Sequence, residues 1–188
     1  MKIKDYAEVI VGDYPFANQL YDELVPILEK HPDKQDRKTN VQATMTDWYI
    51  TTPQMARLRK FLLNEVAYKF STNAIGDEAL TPIFRDFWAN IYHKGDYSDP
   101  HNHLPAIWSC VYFLKSKWFY SPLFFPSSRQ KVRPRMGSFV IFPSCLKHSV
   151  PKHRYNESRI TLSGNFYYKE MVNDEWFYNS NNQKVSLI

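Results

Sequence analysis

Five of the six histidines in this sequence, His93, His101, His103, His148 and His153, fall between residues 93 and 153. Two of them form a His-x-His unit, His101-Asn102-His103. In an extended chain, residues two apart share a face, so both imidazoles can reach one point. Neutral imidazole is a ligand for iron, zinc, copper and nickel. The alternative for such a pair is two surface or hydrogen-bonded histidines beside a turn. A third histidine, His148, follows Gly137-Ser138-Phe139-Val140-Ile141-Phe142-Pro143-Ser144. That segment reads as a turn, a short buried strand and another turn, so His148 opens a new extended run. Arg159 stands eleven residues later, at the head of Arg159-Ile160-Thr161-Leu162-Ser163-Gly164-Asn165. An arginine that opens a buried strand needs a partner, because an unpaired interior charge is very costly. Its planar fork suits a carboxylate, supplied either by a protein Asp or Glu or by a bound ligand. Thr161 lies on the same face and can donate a further hydrogen bond.

Two kinds of element must position these residues. Up to about residue 75 the periodicity is helical. Phe16, Leu20, Leu24, Ile27 and Leu28 recur at helical spacing between Phe16 and Lys30, with Pro26 set to kink or end the run. From Pro53 to Phe70, the residues Met55, Leu58, Leu62, Val66 and Phe70 share one face. Thr52 can cap this helix, and Pro53 suits its first turn. Between the helices, Asn40 to Thr52 reads as extended chain around Trp48.

From about residue 81 to 168 the pattern is that of strands. Phe84 to Tyr92, Ile107 to Leu114, Phe139 to Phe142 and Arg159 to Tyr168 are rich in aromatic and β-branched residues. Turn-forming clusters such as Lys94-Gly95-Asp96 and Arg135-Met136-Gly137 separate them. No helical pattern long enough for a crossover lies between these strands. The expectation is an α+β, mainly β chain: an antiparallel double-sheet roll with N-terminal helices packed outside. Residues 1–188 read as a single domain with a loose tail after Trp176.

Composition narrows the class. Forty-four per cent of the 188 residues are hydrophobic, enough for a packed core. The formal net charge is +5, but the Lys and Arg residues are spread along the chain. The densest run, Gln130-Lys131-Val132-Arg133-Pro134-Arg135, is short, so a nucleic-acid role is not the expectation. Cys110 and Cys145 sit in apolar runs and read as reduced, small core residues. No signal sequence and no membrane-length apolar stretch is evident, which points to the cytoplasm, or a host cytoplasm for a viral protein.

The order His-x-His, distal His, then Arg-x-Thr resembles the signature of the iron(II)/2-oxoglutarate-dependent oxygenases. Asn90-Ile91-Tyr92, Lys94-Gly95-Asp96-Tyr97, His101-Asn102-His103 and Ser109-Cys110-Val111-Tyr112-Phe113-Leu114 together resemble the prolyl-hydroxylase-like arrangement. Trp88-Ala89-Asn90, Phe142-Pro143-Ser144-Cys145-Leu146-Lys147-His148 and Arg159-Ile160-Thr161-Leu162-Ser163-Gly164-Asn165 are similar to a sparsely characterised oxygenase-like family of bacteria and phages.

The resemblance implies a cupin-like double-stranded β-helix, or jelly roll. It implies Fe(II) held by His101, His103 and His148, and 2-oxoglutarate held by Arg159, Thr161, Tyr92, Tyr112 and Asn90, with Trp108 also near the pocket. With dioxygen, such a site hydroxylates a further substrate and releases succinate and carbon dioxide. One departure stands out, since His103 occupies the place of the usual carboxylate ligand. Asp96 or Asp99 is then either a turn residue or a source of an oxygen ligand. Two other functions fit the residues: a metal-binding roll without oxygenase activity, such as a phage accessory or structural protein, and a nucleic-acid-binding module.

Overall fold

The computed structural model describes residues 7–31, 39–47, 52–71 and 82–169, with backbone only for 67–71. Two helices and eleven strands lie within these residues. In chain order they are β1 (Ile10–Asp13), α1 (Ala17–Leu28), β2 (Val41–Gln42), β3 (Thr44–Met45), α2 (Pro53–Ser71), β4 (Pro82–Tyr92), β5 (Tyr97–His101), β6 (Trp108–Lys115), β7 (Leu123–Phe125), β8 (Gln130–Val132), β9 (Ser138–Pro143), β10 (His148–Val150) and β11 (Arg159–Tyr168).

The strands form two antiparallel sheets. The larger has the order β1-β9-β6-β11-β4-β3 and the smaller β2-β5-β10-β7-β8. At the centre of the larger sheet β11 pairs with β4 along its whole length, placing Arg159 opposite Tyr92, Thr161 opposite Asn90 and Ser163 opposite Trp88. This is the roll expected from the sequence, with the helices outside. The four long strands expected there appear as β4, β6, β9 and β11.

Strand parity sorts the residues of the larger sheet into two layers. Its outer face presents Ile91, Ala89, Tyr112, Leu114, Phe139, Ile141, Ile160 and Leu162 to the buried faces of α1 and α2. Its inner face presents Val111, Phe113, Val140 and Phe142, which pack against Leu123, Phe125 and Val150 of the smaller sheet. Parity shifts once in β4, where an irregularity between Asn165 and Phe166 leaves Arg85 without a register partner. Such a bulge lets Phe84 and Phe87 share the outer core despite their spacing.

The helices follow their periodicity with two corrections. In α2, Met55, Leu58, Leu62 and Val66 are buried, and the Met55 amide donates to Thr52 Oγ1 at 3.2 Å, the expected cap. The side chain of Phe70 falls outside the described residues. In α1, Leu20, Leu24 and Leu28 are buried as expected, but Phe16 and Ile27 are each 60% exposed and Val25 is buried instead. The helix continues through Pro26 for two residues and then stops. The extended segment from Asn40 contributes one short strand to each sheet, and Trp48 lies outside the described residues. Cys110 is buried, but Cys145 is exposed on the β9–β10 turn rather than in the core. Among the described residues, no helix is long and apolar enough to cross a membrane.

The exposure difference between Leu62 and Ile27 gives a direct check. Leu62→Ala should cost about 2–5 kcal/mol of stability, the usual range for truncating a buried leucine. Ile27→Ala should stay within roughly 0.5 kcal/mol, as for an exposed position. Urea unfolding of the two variants beside the parent protein measures both.

Candidate metal and carboxylate site

β5 and β10 are neighbours in the smaller sheet, and their register sets His148 opposite His101. The rings lie with centroids 4.5 Å apart. His103 completes the group, with its ring 5.0 Å from each of the other two. One nitrogen from each imidazole lies within 4.8 Å of the other two, a spacing that admits a common metal ion. Among the described residues this is the group of metal-ligating side chains that converges. The expected strand geometry holds only in part. β5 ends at His101, so His103 reaches the site from the following loop and not from the same strand face. Its amide donates to the Ser144 carbonyl at 3.0 Å, which ties that loop to the segment leading to His148.

Hydrogen bonds decide which nitrogen of two rings faces the site. His101 Nδ1 lies 2.7 Å from the Asp99 carbonyl, and His148 Nδ1 lies 3.1 Å from the Leu146 carbonyl. A carbonyl only accepts, so each Nδ1 carries the proton and each Nε2 keeps its lone pair for a metal. Asp99 therefore serves the site through its backbone. Asp96 is a turn residue, its carboxylate accepting the His93 amide at 2.7 Å. Neither carboxylate joins the histidine group.

The three histidines share a cavity with Arg159. Its walls include Trp88, Asn90, Tyr92, Ser98, Thr161 and Ser163, and it encloses about 430 Å³ counting the part open to solvent. Arg159 is 0% exposed. Among the described residues no acceptor meets its three guanidinium nitrogens at good hydrogen-bond geometry, although the Tyr92 side chain offers a weak interaction. The group is flanked by the rings of Tyr92 and Phe113, at 4.8 and 5.6 Å from its central carbon. Ring faces attract a cation but leave its five N–H donors unmet. Burial lowers the Arg159 pKa, opposed by Tyr92. No carboxylate pairs with Arg159 among the described residues.

Most of the residues nominated by sequence meet here. Asn90, Tyr92, Arg159 and Thr161 line the cavity with the three histidines. Asn90 is locked in place: its Oδ1 accepts from Trp88 Nε1 at 3.1 Å and its Nδ2 donates to Ser163 at 3.0 Å. Tyr112 is the exception and a correction. It follows Val111 and precedes Phe113, so parity turns it to the helix side, where its ring packs edge-on against Tyr14 at 6.0 Å. Trp108 also packs against the outer core. Trp88, Ser98, Phe113 and Ser163 were not nominated. Parity alone nominates Ser163, two residues beyond Thr161, and Trp88, two residues before Asn90.

Burial, reinforced by the neighbouring imidazoles, pulls His103 down to about 3 and His148 down to about 4. Both are therefore neutral near pH 7, the form that ligates metals. An unfolded imidazole titrates near pH ~6.5. The folded pKa values lie below that, so the unfolded chain binds more protons as pH falls. The stability held above pH ~6.5 is lost progressively toward pH ~4. Asp86 acts in the opposite sense, since burial raises it to about 6. Urea midpoints of the metal-free protein should fall between pH 6.5 and 5. The fall should be shallower in His103→Gln/His148→Gln, in which Asp86 is unchanged.

No known family's sequence model matches the chain, and no curated protein matches it. Solved structures do. A viral collagen prolyl hydroxylase from Paramecium Bursaria Chlorella virus-1, in complex with 2-oxoglutarate, is 16% identical, with 86% of this chain and 96% of that chain covered at a TM-score of 0.61. A prolyl-4-hydroxylase from Pseudomonas putida is 16% identical, covering 87% and 94% of the two chains at a TM-score of 0.65. HygX from Streptomyces hygroscopicus, with nickel and 2-oxoglutarate bound, is 10% identical, covering 97% and 92% at a TM-score of 0.65. At these identities the likeness concerns the fold: this chain has the double-stranded β-helix of the 2-oxoglutarate/iron(II) oxygenases.

Proposed function

We propose that this chain is a non-haem iron(II) oxygenase that uses 2-oxoglutarate to hydroxylate a second substrate, with release of succinate and carbon dioxide. The observation that carries this reading is Arg159, a fully buried guanidinium with no carboxylate partner among the described residues, in one cavity with three converging histidines. His101, His103 and His148 would hold the iron. A bound carboxylate would satisfy Arg159 through its planar fork. Thr161, on the same strand face, adds a hydroxyl beside it, while Tyr92 and Phe113 hold the guanidinium from its flanks. Iron with 2-oxoglutarate supplies the activation of dioxygen.

Each residue then has a task that its position explains. The carbonyls of Asp99 and Leu146 orient two of the ligand rings. The Trp88–Asn90–Ser163 hydrogen bonds stiffen one wall of the cavity. The apolar residues Val111, Phe142 and Val150 keep that space low in polarity, which strengthens the pairing of charges inside it. A metal-binding roll without oxygenase activity has no use for a buried, unpaired cation beside its metal, so Arg159 favours the oxygenase.

Arg159→Ala should leave Fe²⁺ affinity almost unchanged and weaken 2-oxoglutarate by about 2–5 kcal/mol, the cost of removing one partner of a desolvated charge pair. Arg159→Lys should recover only part of the loss, because an ammonium lacks the bidentate fork. Tyr112→Phe should bind 2-oxoglutarate as the parent does, since that hydroxyl faces the helices. Anaerobic titration with Fe²⁺ and 2-oxoglutarate, followed by visible absorption, measures all three. Unchanged 2-oxoglutarate affinity in a folded Arg159→Ala protein would refute the co-substrate role.

A further inference from the structure

Two of the three ligand rings are fixed from behind by backbone carbonyls, but the third is not. His103 has ring contacts with Trp88 at 5.9 Å and with the other two histidines, and among the described residues no hydrogen bond from its imidazole. Its backbone must therefore do the positioning. The His103 amide donates to the Ser144 carbonyl at 3.0 Å, and the Ser144 amide donates to the Ile107 carbonyl at 3.0 Å. Both backbone groups of Ser144 thus grip the loop that carries His103. Four residues later the same segment delivers His148. Ser144 is the point at which the two ligand-bearing segments meet.

What holds Ser144 lies deeper. Its Oγ sits 2.7 Å from Ser109 Oγ, and Ser109 Oγ donates to Asn165 Oδ1 at 2.8 Å. A hydroxyl has a single proton, so the bond between the serines takes its proton from Ser144. The Asn165 backbone amide donates to Asp86 Oδ1 at 3.1 Å. Ser144, Ser109, Asn165 and Asp86 are 0, 2, 3 and 7% exposed. Ser109, Asn165 and Asp86 stand on β6, β11 and β4, the three adjacent central strands of the larger sheet. The chain of bonds therefore ties the ligand loops to the stiffest part of the fold.

We infer that Ser109 is a positioning residue for the metal centre: the Ser144–Ser109–Asn165–Asp86 chain sets where His103 stands relative to His101 and His148. The inference rests on the three histidines being a metal site. Removing the Ser109 hydroxyl leaves Ser144 without its acceptor and Asn165 Oδ1 without its donor, both out of reach of water. The loop can then relax, and His103 has no ring hydrogen bond to keep it in place.

Cobalt(II) is a suitable probe, because its visible bands report ligand geometry without turnover. Ser109→Ala should bind Co²⁺ about 10–100-fold more weakly, the usual effect of losing an outer partner of a metal ligand, and should shift the visible bands. Ser109→Thr, which keeps the hydroxyl, should recover most of the affinity and the parent spectrum. Ser138→Ala serves as the control, since Ser138 is 5% exposed and its Oγ donates to the Arg135 carbonyl at the far end of β9. It should lose comparable stability yet bind Co²⁺ normally. Should Ser109→Ala fail to fold, Ser144→Ala tests the same link. Parent-like affinity and spectrum in the folded Ser109→Ala or Ser144→Ala protein would overturn the inference and leave the metal site standing. Failure of the parent protein itself to take up Co²⁺ would overturn both.

Discussion

The uncompensated guanidinium of Arg159 constrains the rest of the structure more than any other group. A charge removed from water without a partner costs several kcal/mol even after relaxation. Arg159 is fully buried and has no ion-pair partner among the described residues, so the fold must offset that cost elsewhere. Part of the offset is visible in the two rings beside it, one from β4 and one from β6. More comes from the pairing of β11 with β4, which continues through ten register positions and makes the position of Arg159 hard to escape. A carboxylate entering the cavity would then gain what the protein has left unsatisfied.

The same strand pair divides the labour of the molecule. Outward residues of β4, β6, β9 and β11 are apolar and carry the helices. Inward residues of β4 and β11 are polar over much of their length: Asn90, Thr161, Ser163 and Asn165 are all buried. A sheet with one apolar face and one polar face in its interior is unusual for a simple core, where buried polar groups are tolerated only when hydrogen-bonded. Here most of them are, through Trp88–Asn90–Ser163 nearer the cavity and Ser109–Asn165–Asp86 beyond it. These networks hold the polar wall in place without engaging Arg159.

Much of this arrangement was legible in the sequence because it depends on period two. Thr161 shares the inward face of Arg159 as alternation along the strand requires, and Asn90, nominated through the likeness of motif, lines the same cavity. Tyr112 was misplaced because a likeness of motif was followed where parity gave the opposite side; Val111 and Phe113 are the inward residues of that strand. His101 and His103 do converge, but not for the reason that a shared strand face supplies, since β5 stops at His101 and a loop brings His103 in. The short strands β1, β7 and β8 were not anticipated, each being three or four residues of weak pattern whose pairing depends on its partner strand. Ile27 lay on the predicted apolar stripe but is exposed, because the core contacts of α1 turn toward Val25 as the helix ends past Pro26.

The charges in the cavity link the metal reading to the carboxylate reading. Three imidazoles bring no negative charge to a metal, and burial already disfavours the charged forms of His103 and His148. A dication placed on neutral donors, in a cavity that also holds a buried guanidinium, leaves that cavity strongly cationic. No described carboxylate belongs to the ligand group to moderate this. Under the proposed function a bound dianion would moderate it twice over, once at the metal and once at Arg159. 2-Oxoglutarate has a carboxylate at each end and a length that separates them. Among the described residues no carboxylate joins the ligand group and none pairs with Arg159, so both features leave the cavity short of negative charge.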